Sequence, residues 1–252
     1  VRAADRARRL ALGLGGGLLA AFFALTLAAL LVTLPLAELP HTLASPLVLD
    51  ATRVSITTSL VSMALVVALG TPLAWTIARS RWRVSGWLET ALQLPEAIPP
   101  AVAGLALLLA FGRRGLLGQW LAPYGLAPAF TPAAVICAQV FVGAPFYVQA
   151  ATAAFRRLDE QLLGVARSLG AGPIAVFVRV ALPLAAPGLL GGLGLGWARA
   201  LGEFGATLMF AGNLAGKTQS LPLAVYTALE SDVHAAQVVA LVLLVLALSV
   251  LL

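Results

Sequence analysis

GVARSLGAGPIAVFVRVALP, residues 164–183, is a small polar island in a very apolar chain, and its reading decides the fold. It sets Arg167, Ser168 and Arg179 between two long hydrophobic runs. Just upstream and within it, Leu162, Leu163, Ala166 and Leu169 follow the spacing of one helix face, which predicts a short helix over residues 159–169. Ala171-Gly172-Pro173 then forces a turn, because glycine lacks the side-chain clash and proline cannot continue the preceding helix. A second piece runs through Val180-Ala181-Leu182-Pro183 into the next apolar run. Helix, bend and helix between two membrane spans make a compact knob on the membrane surface, a shape suited to a soluble partner.

The surrounding composition fits that setting. Hydrophobic residues are 61% of the 252 and charged residues 10%. A soluble domain carries roughly a quarter charged residues, so the chain is expected to cross a membrane several times. The net charge of +6 does not point to nucleic acid, since the basic residues sit at the ends of apolar runs instead of forming a patch interleaved with aromatics. That placement follows the positive-inside rule. Cys137 is the single cysteine, and His41 and His234 lack ligand spacing, so neither a disulfide framework nor a metal site is expected.

Outward from the island, six spans are predicted, with both ends in the cytoplasm. Arg2, Arg6, Arg8 and Arg9 precede an apolar run over about residues 10–36, longer than a signal-peptide core and read as span one. Residues 35–50, with three prolines, Glu38 and His41, are placed outside. Span two covers about 55–78 and stops at Arg79, Arg81 and Arg83, with Trp75, Trp82 and Trp87 at the headgroup level. Span three, about 88–111, holds Gln93, Pro95, Glu96, Pro99 and Pro100, so its first half is not expected to be regular helix throughout; such a break is tolerated where it lines a cavity or is buried in protein. Span four, about 132–155, ends at Arg156-Arg157, span five covers about 184–210, and span six runs from about Val233 and is still apolar at Leu252, so the native chain is expected to extend further. Eleven of the sixteen basic residues (positions 2, 6, 8, 9, 79, 81, 83, 156, 157, 167 and 179) then fall in the cytoplasm, while Arg113 and Arg114 are exceptions. The chain divides into residues 1–50 (N-terminal segment, first span and external loop) and 51–252 (the main transmembrane domain, with the loop at about 159–183). No internal repeat is evident, which favours a pathway built between two copies. Gly188, Gly192, Gly196 and Ala200 recur every fourth residue and let helix backbones approach, either within the chain or across a dimer.

Chemistry concentrates in residues 198–230, ARALGEFGATLMFAGNLAGKTQSLPLAVYTALE. Arg199 and Glu203 are four apart on one helix face and able to pair. Ionisable groups inside a span face the bundle interior or a wet path, so the pair is either a structural tie or part of a gate. AGNLAGKT, residues 211–218, reads almost as a phosphate-binding loop. That motif needs a strand before it and a helix after it. Here an apolar span precedes and Pro222 follows, so an external turn-rich loop is expected. No serine–histidine–acid set or reactive carboxylate pair is present, and Asp159-Glu160 and Glu230/Asp232 read as solvated helix-end charges, so the chain is expected to be non-catalytic.

Two motifs carry a family resemblance. The island resembles the loop shared by permease subunits of ATP-binding-cassette importers, E-A-A-x-x-x-G, nine residues, then I-x-L-P. Gly170, nine residues, and Val180-x-Leu182-Pro183 keep the spacing, and Ala166 matches the second alanine; Gly164 and Val165 stand where the family has glutamate and alanine. The run A-L-G-E-F-G-A-T, then F-A-G-N, then G-K-T-Q-S-L-P-L-A-V-Y is similar to molybdate and tungstate importer permeases, while sulfate permeases share A-L-G-E and A-G-N and typically depart from the continuation. The resemblance covers residues from about 53 to the end.

The resemblance implies an all-α membrane protein with six transmembrane helices and the type I importer permease fold. It implies a homodimer in a prokaryotic plasma membrane, two cytoplasmic ATPase subunits, and an external oxyanion-binding protein. ATP and magnesium would be held by the ATPase, with no cofactor in this chain. It places Val165, Ala166, Arg167, Ser168, Leu169, Gly170, Ala171 and Pro173 at the ATPase contact, and Arg199, Glu203 and Asn213, with Glu96 of span three, as candidates for the pathway or gate. The alternatives are the same machine carrying sulfate or thiosulfate, and a gradient-driven carrier using Glu96 or Glu203.

Overall fold

The computed structural model describes residues 2–80 and 83–252. Arg81 and Trp82, read above as part of a stop signal and an aromatic belt, lie outside the described residues, as do the side chains of Arg2, Arg6, Arg8, Arg9 and Arg83. The described residues form helices α1 (Arg2–Val32), α2 (Leu39–Leu43), α3 (Pro46–Arg79), α4 (Arg83–Ala97), α5 (Pro100–Phe111), α6 (Gly118–Leu121), α7 (Pro132–Arg156), α8 (Glu160–Ser168), α9 (Pro173–Val176), α10 (Leu182–Leu201), α11 (Gly205–Ala211), α12 (Leu221–Leu229) and α13 (Val233–Leu251), with no strand among them. A π-helical turn, Phe177–Ala181, joins α9 to α10. Among the described residues, five segments are long and apolar enough to cross a bilayer: Gly15–Val32, α3, Pro173–Leu201, α7 and α13; the bent pair α4–α5 makes a sixth if counted as one span.

Two boundaries, those of spans two and five, differ from the sequence reading, and the break expected in the first half of span three is present. Residues 46–50 are already helix, because Ser45 accepts from the Val48 amide at 3.4 Å and Pro46 starts α3 with φ preset. Span three is helical through Pro95, and its break falls at Ile98-Pro99, where consecutive prolines remove amide donors and hold Pro99 extended (ψ 137). The two halves meet at 115°, so residues 88–111 are not one straight crossing. Span five ends at Leu201 instead of Phe210, interrupted over residues 202–204 before α11.

α7 is the central post, packed on α3 along one side and α10 along the other. Toward α3, the Tyr147 and Thr71 hydroxyls hydrogen-bond at 2.6 Å inside the core. Toward α10, the small-residue stripe meets α7 directly: a Cβ on Gly188 would lie 2.5 Å from the Ala154 Cβ, and one on Gly192 2.6 Å from the Ala150 Cβ. The stripe is therefore an intrachain seam whose glycines set the approach of the two helices. In contrast, none of Gly15–Val32 in α1 is buried, and Thr33, just past α1, accepts from Gln237 of α13 at 2.8 Å.

Ion pairs gather several helix ends on the island side. Arg156 at the end of α7 donates to both carboxylate oxygens of Glu89 on α4, at 3.0 and 2.9 Å. Arg79 at the end of α3 pairs with Glu160 at the start of α8. Near the same helix end, the Trp75 ring packs 5.3 Å from Phe155 and 5.4 Å from Phe177.

Candidate coupling surface and gate

The island forms the knob its sequence predicts. Asp159 caps α8 by accepting from the Gln161 amide at 2.8 Å. At the other end Gly170 has φ +87; its amide donates to the Arg167 carbonyl at 2.9 Å and the Ala171 amide to the Ala166 carbonyl at 3.0 Å. This pair of bonds is a Schellman closure, which needs a left-handed residue at Gly170's place and explains glycine there. Gly172 and Pro173 then start α9.

Of the four residues read as one apolar face, only Leu163 is fully buried, and Ala166 is half-buried against the core. Leu162 is 53% exposed and Leu169 83%, because the nine-residue helix lies on the bundle by one narrow edge. Val165 and Ile174, at 58% and 80%, join them, while Val176 anchors the far side. Arg167, Ser168, Gly170 and Pro173 are exposed and Ala171 half-buried. The result is an outward apolar surface edged by arginine on a mount fixed by buried Leu163 and Val176. Position 164, where glutamate stands in the related motif, has no atom within 4 Å of an added Cβ, so the glycine leaves open space.

At the opposite end of α10, Arg199 donates to Glu203 at 3.1 Å. Glu203 lies past the helix end, so the pair forms across the break and not along one face. Its other oxygen accepts from the Ala206 amide at 2.7 Å, capping α11. The Glu203 side chain is 1% exposed and that of Arg199 35%, so the carboxylate is enclosed and its charge is met by the guanidinium. α11 is pressed onto α5: a Cβ at Gly205 would come within 2.7 Å of the Pro100 Cβ, and one at Gly104 within 2.8 Å of the Ala206 carbonyl oxygen.

The following loop closes on itself. Asn213 and Gln219 both donate to the Thr227 hydroxyl, at 2.9 and 3.1 Å. The amides of Lys217, Thr218 and Gln219 all turn to the Leu214 carbonyl, at 3.1, 2.9 and 3.0 Å. Thr218 is buried and its hydroxyl accepts from the Leu214 amide at 3.0 Å. The amides of Leu214, Lys217 and Thr218 are thus engaged within the loop, unlike a phosphate-binding loop whose amides point at the ligand. Arg199, Glu203 and Asn213 share this end of the fold, whereas Glu96 is exposed on α4 and takes a hydrogen bond from Gln149 of α7.

Sequence reasoning passed over a polar row inside the bundle. Ser55, Thr58, Ser59 and Ser62 of α3 are buried, and Ser55 receives the Leu221 amide at 2.8 Å. Gln139 of α7 and Thr207 of α11 are buried too. Their helical spacing in α3 was a readable signal, since hydroxyls recurring every three or four residues mark one face.

The pattern of binding-protein-dependent transport system inner membrane components matches residues 70–252. A molybdenum transport system permease protein, ModB, of Mycobacterium bovis is 45% identical over 197 residues, 78% of this chain and 75% of that one. A probable transport system permease protein, NifC, of Clostridium pasteurianum is 41% identical over 193 residues, 76% of this chain and 68% of that one. In fold, the chain is similar to a subunit in the crystal structure of a bacterial alginate ABC transporter bound to its periplasmic protein, with TM-score 0.66 at 18% identity, covering 93% of this chain and 91% of that one. A multi-helix membrane fold, a turn-closed surface knob and a match over most of the length converge: the chain belongs to the family of binding-protein-dependent transport system inner membrane components.

Proposed function

We propose that the chain is the permease subunit of an ATP-driven importer of molybdate or tungstate, working as a homodimer in a prokaryotic plasma membrane. The observation that carries this reading is the island: exposed Leu162, Val165, Leu169 and Ile174 across α8, its turn and α9, pinned by buried Leu163 and Val176. An apolar patch rimmed by polar groups fits a protein interface. The relatives named for molybdenum transport support the cargo. Arg79, Arg156, Arg157, Arg167 and Arg179 lie toward the island end and support a cytoplasmic position for it, with both chain ends on that side.

In this mechanism two cytoplasmic ATPase subunits hold ATP and magnesium and receive the islands of the two copies, while an external binding protein delivers the oxyanion. Closure of the ATPases moves the islands, and the spans attached to them open the path between the copies outward; hydrolysis resets it. This chain supplies no reacting group. The Arg199–Glu203 pair, being nearly neutral as a unit, serves the gate by holding α10 to α11, and does not act as an anion site.

The test is ATP hydrolysis in liposomes containing the permease, its ATPase and the binding protein. Molybdate and tungstate are expected to stimulate hydrolysis and sulfate to leave it unchanged. Stimulation by sulfate alone would keep the machine and change the cargo. Uptake driven by a proton gradient without ATP would overturn the reading.

A further inference from the structure

The island has two attachments, and they are unlike. Its exit runs through the π turn Phe177–Ala181 into α10. Its entrance is the corner at residues 157–159, and there a single side chain spans three helices. Arg79, the last residue of α3, donates through one amino group to the Phe155 carbonyl in the last turn of α7 at 2.9 Å. Through the other it pairs with Glu160, the first residue of α8. Its guanidinium carbon stands 5.0 Å from the centroid of Trp75, whose ring packs on Phe155 and Phe177. The Arg79 side chain is 17% exposed while that of Glu160 is 72%, so the arginine is the enclosed half of the pair.

We infer that Arg79 is a positioning residue for transport: it locks the α7–α8 corner to the end of α3, so the island moves with α3 and α7 as one body. This rests on the importer reading above. The chemistry calls for arginine in particular. A planar fork reaches two acceptors on different helices and stacks on an indole at once, whereas a lysine ammonium is a point charge that does not reproduce the fork. A surface ion pair alone would do little. Here the carbonyl bond and the stack hold the guanidinium in place, and Glu160 is what it then holds. Displacement of the island by the ATPase therefore reaches α3, which carries the buried hydroxyl row, as well as α10.

Arg79→Lys tests the geometry while keeping the charge that orients the span. In the reconstituted importer, basal ATP hydrolysis is expected to stay near that of the parent, while molybdate taken up per ATP falls about tenfold, within the range for residues on a coupling route. Because this is a ratio, it does not move with the amount of folded protein. Glu160→Gln, which leaves the stack and carbonyl bond intact, is expected to give a smaller fall, about twofold. In a Cys137→Ala background, a nitroxide at Gln161→Cys should be restrained in the parent and more mobile with Arg79→Lys. Parental uptake per ATP in Arg79→Lys, or a nitroxide no more mobile than in the parent, overturns the clamp. If the parent complex itself shows no response to molybdate, the importer reading fails, and the nitroxide comparison still decides the clamp.

Discussion

Two glycine-dependent turns in this chain look alike in sequence and do opposite things in space. Gly170 closes α8 with φ +87, and nothing lies within 4 Å of the Cβ it lacks. Gly212 and Gly216 bend the loop between α11 and α12 with φ +73 and +68, and an added Cβ would meet Phe130 at 3.3 Å and Asp50 at 3.4 Å. Around Gly170 the apolar side chains face outward; around Gly212 the polar groups face inward, onto Thr227, Thr218 and the Leu214 carbonyl. The first turn presents a surface, and the second consumes its own donors and acceptors. A glycine-rich segment signals that the backbone bends, and only the fate of its polar groups tells whether the bend serves a partner or the fold itself.

If that contrast holds, stability and coupling should separate by region. The largest loss of stability is expected from Glu203→Ala, which strands half-buried Arg199 and leaves the Ala206 amide uncapped, costing about 3 kcal/mol. Denaturation midpoints in detergent would show it, and an unchanged midpoint would mean that the break does not depend on this carboxylate. Thr218→Val should cost about 1.5 kcal/mol in the same assay, because the Leu214 amide loses its hydroxyl acceptor. Gly170→Asp should cost about 1 kcal/mol, from left-handed strain alone. It should insert normally yet lose molybdate stimulation of the ATPase. Leu169→Asp closes the series: at 83% exposed it should shift the midpoint by less than about 0.5 kcal/mol while still uncoupling transport. Uncoupling by Thr218→Val to the same degree as Leu169→Asp would dissolve the distinction between the two turns.

The legible parts of the fold were those written in local chemistry. Gly170, Gly172 and Pro173 announce the bend within a few residues, and the apolar runs announce the spans. What escaped was decided at long range. Residues 198–210 contain no proline, so a continuous helix is the natural reading; it breaks because Glu203 folds back onto Ala206 and Gly205 is pressed against Pro100. Gly202 and Gly205 flanking a lone glutamate were the available clue. Residue type suggests a membrane level for Trp75 but not its partners, since Phe155 and Phe177 come from elements far along the chain. The same applies to Arg79, which the sequence offers as one of several stop-signal arginines and which only the assembled corner distinguishes. For the candidate site, the island's helix–bend–helix shape was foreseeable from spacing, whereas the Asn213–Thr227 tie was not, because side-chain partners across a loop leave no periodic trace.

The π turn at Phe177–Ala181 has a mechanical consequence. Such a turn carries one residue more than an α turn, stored in the backbone. Releasing that residue into regular α geometry would advance everything before it by about 1.5 Å and rotate it by about 100° around the axis of α10. The Arg79 corner, which ties the start of α8 to α3 and α7, opposes that release, so the spare residue stays stored for as long as the corner holds.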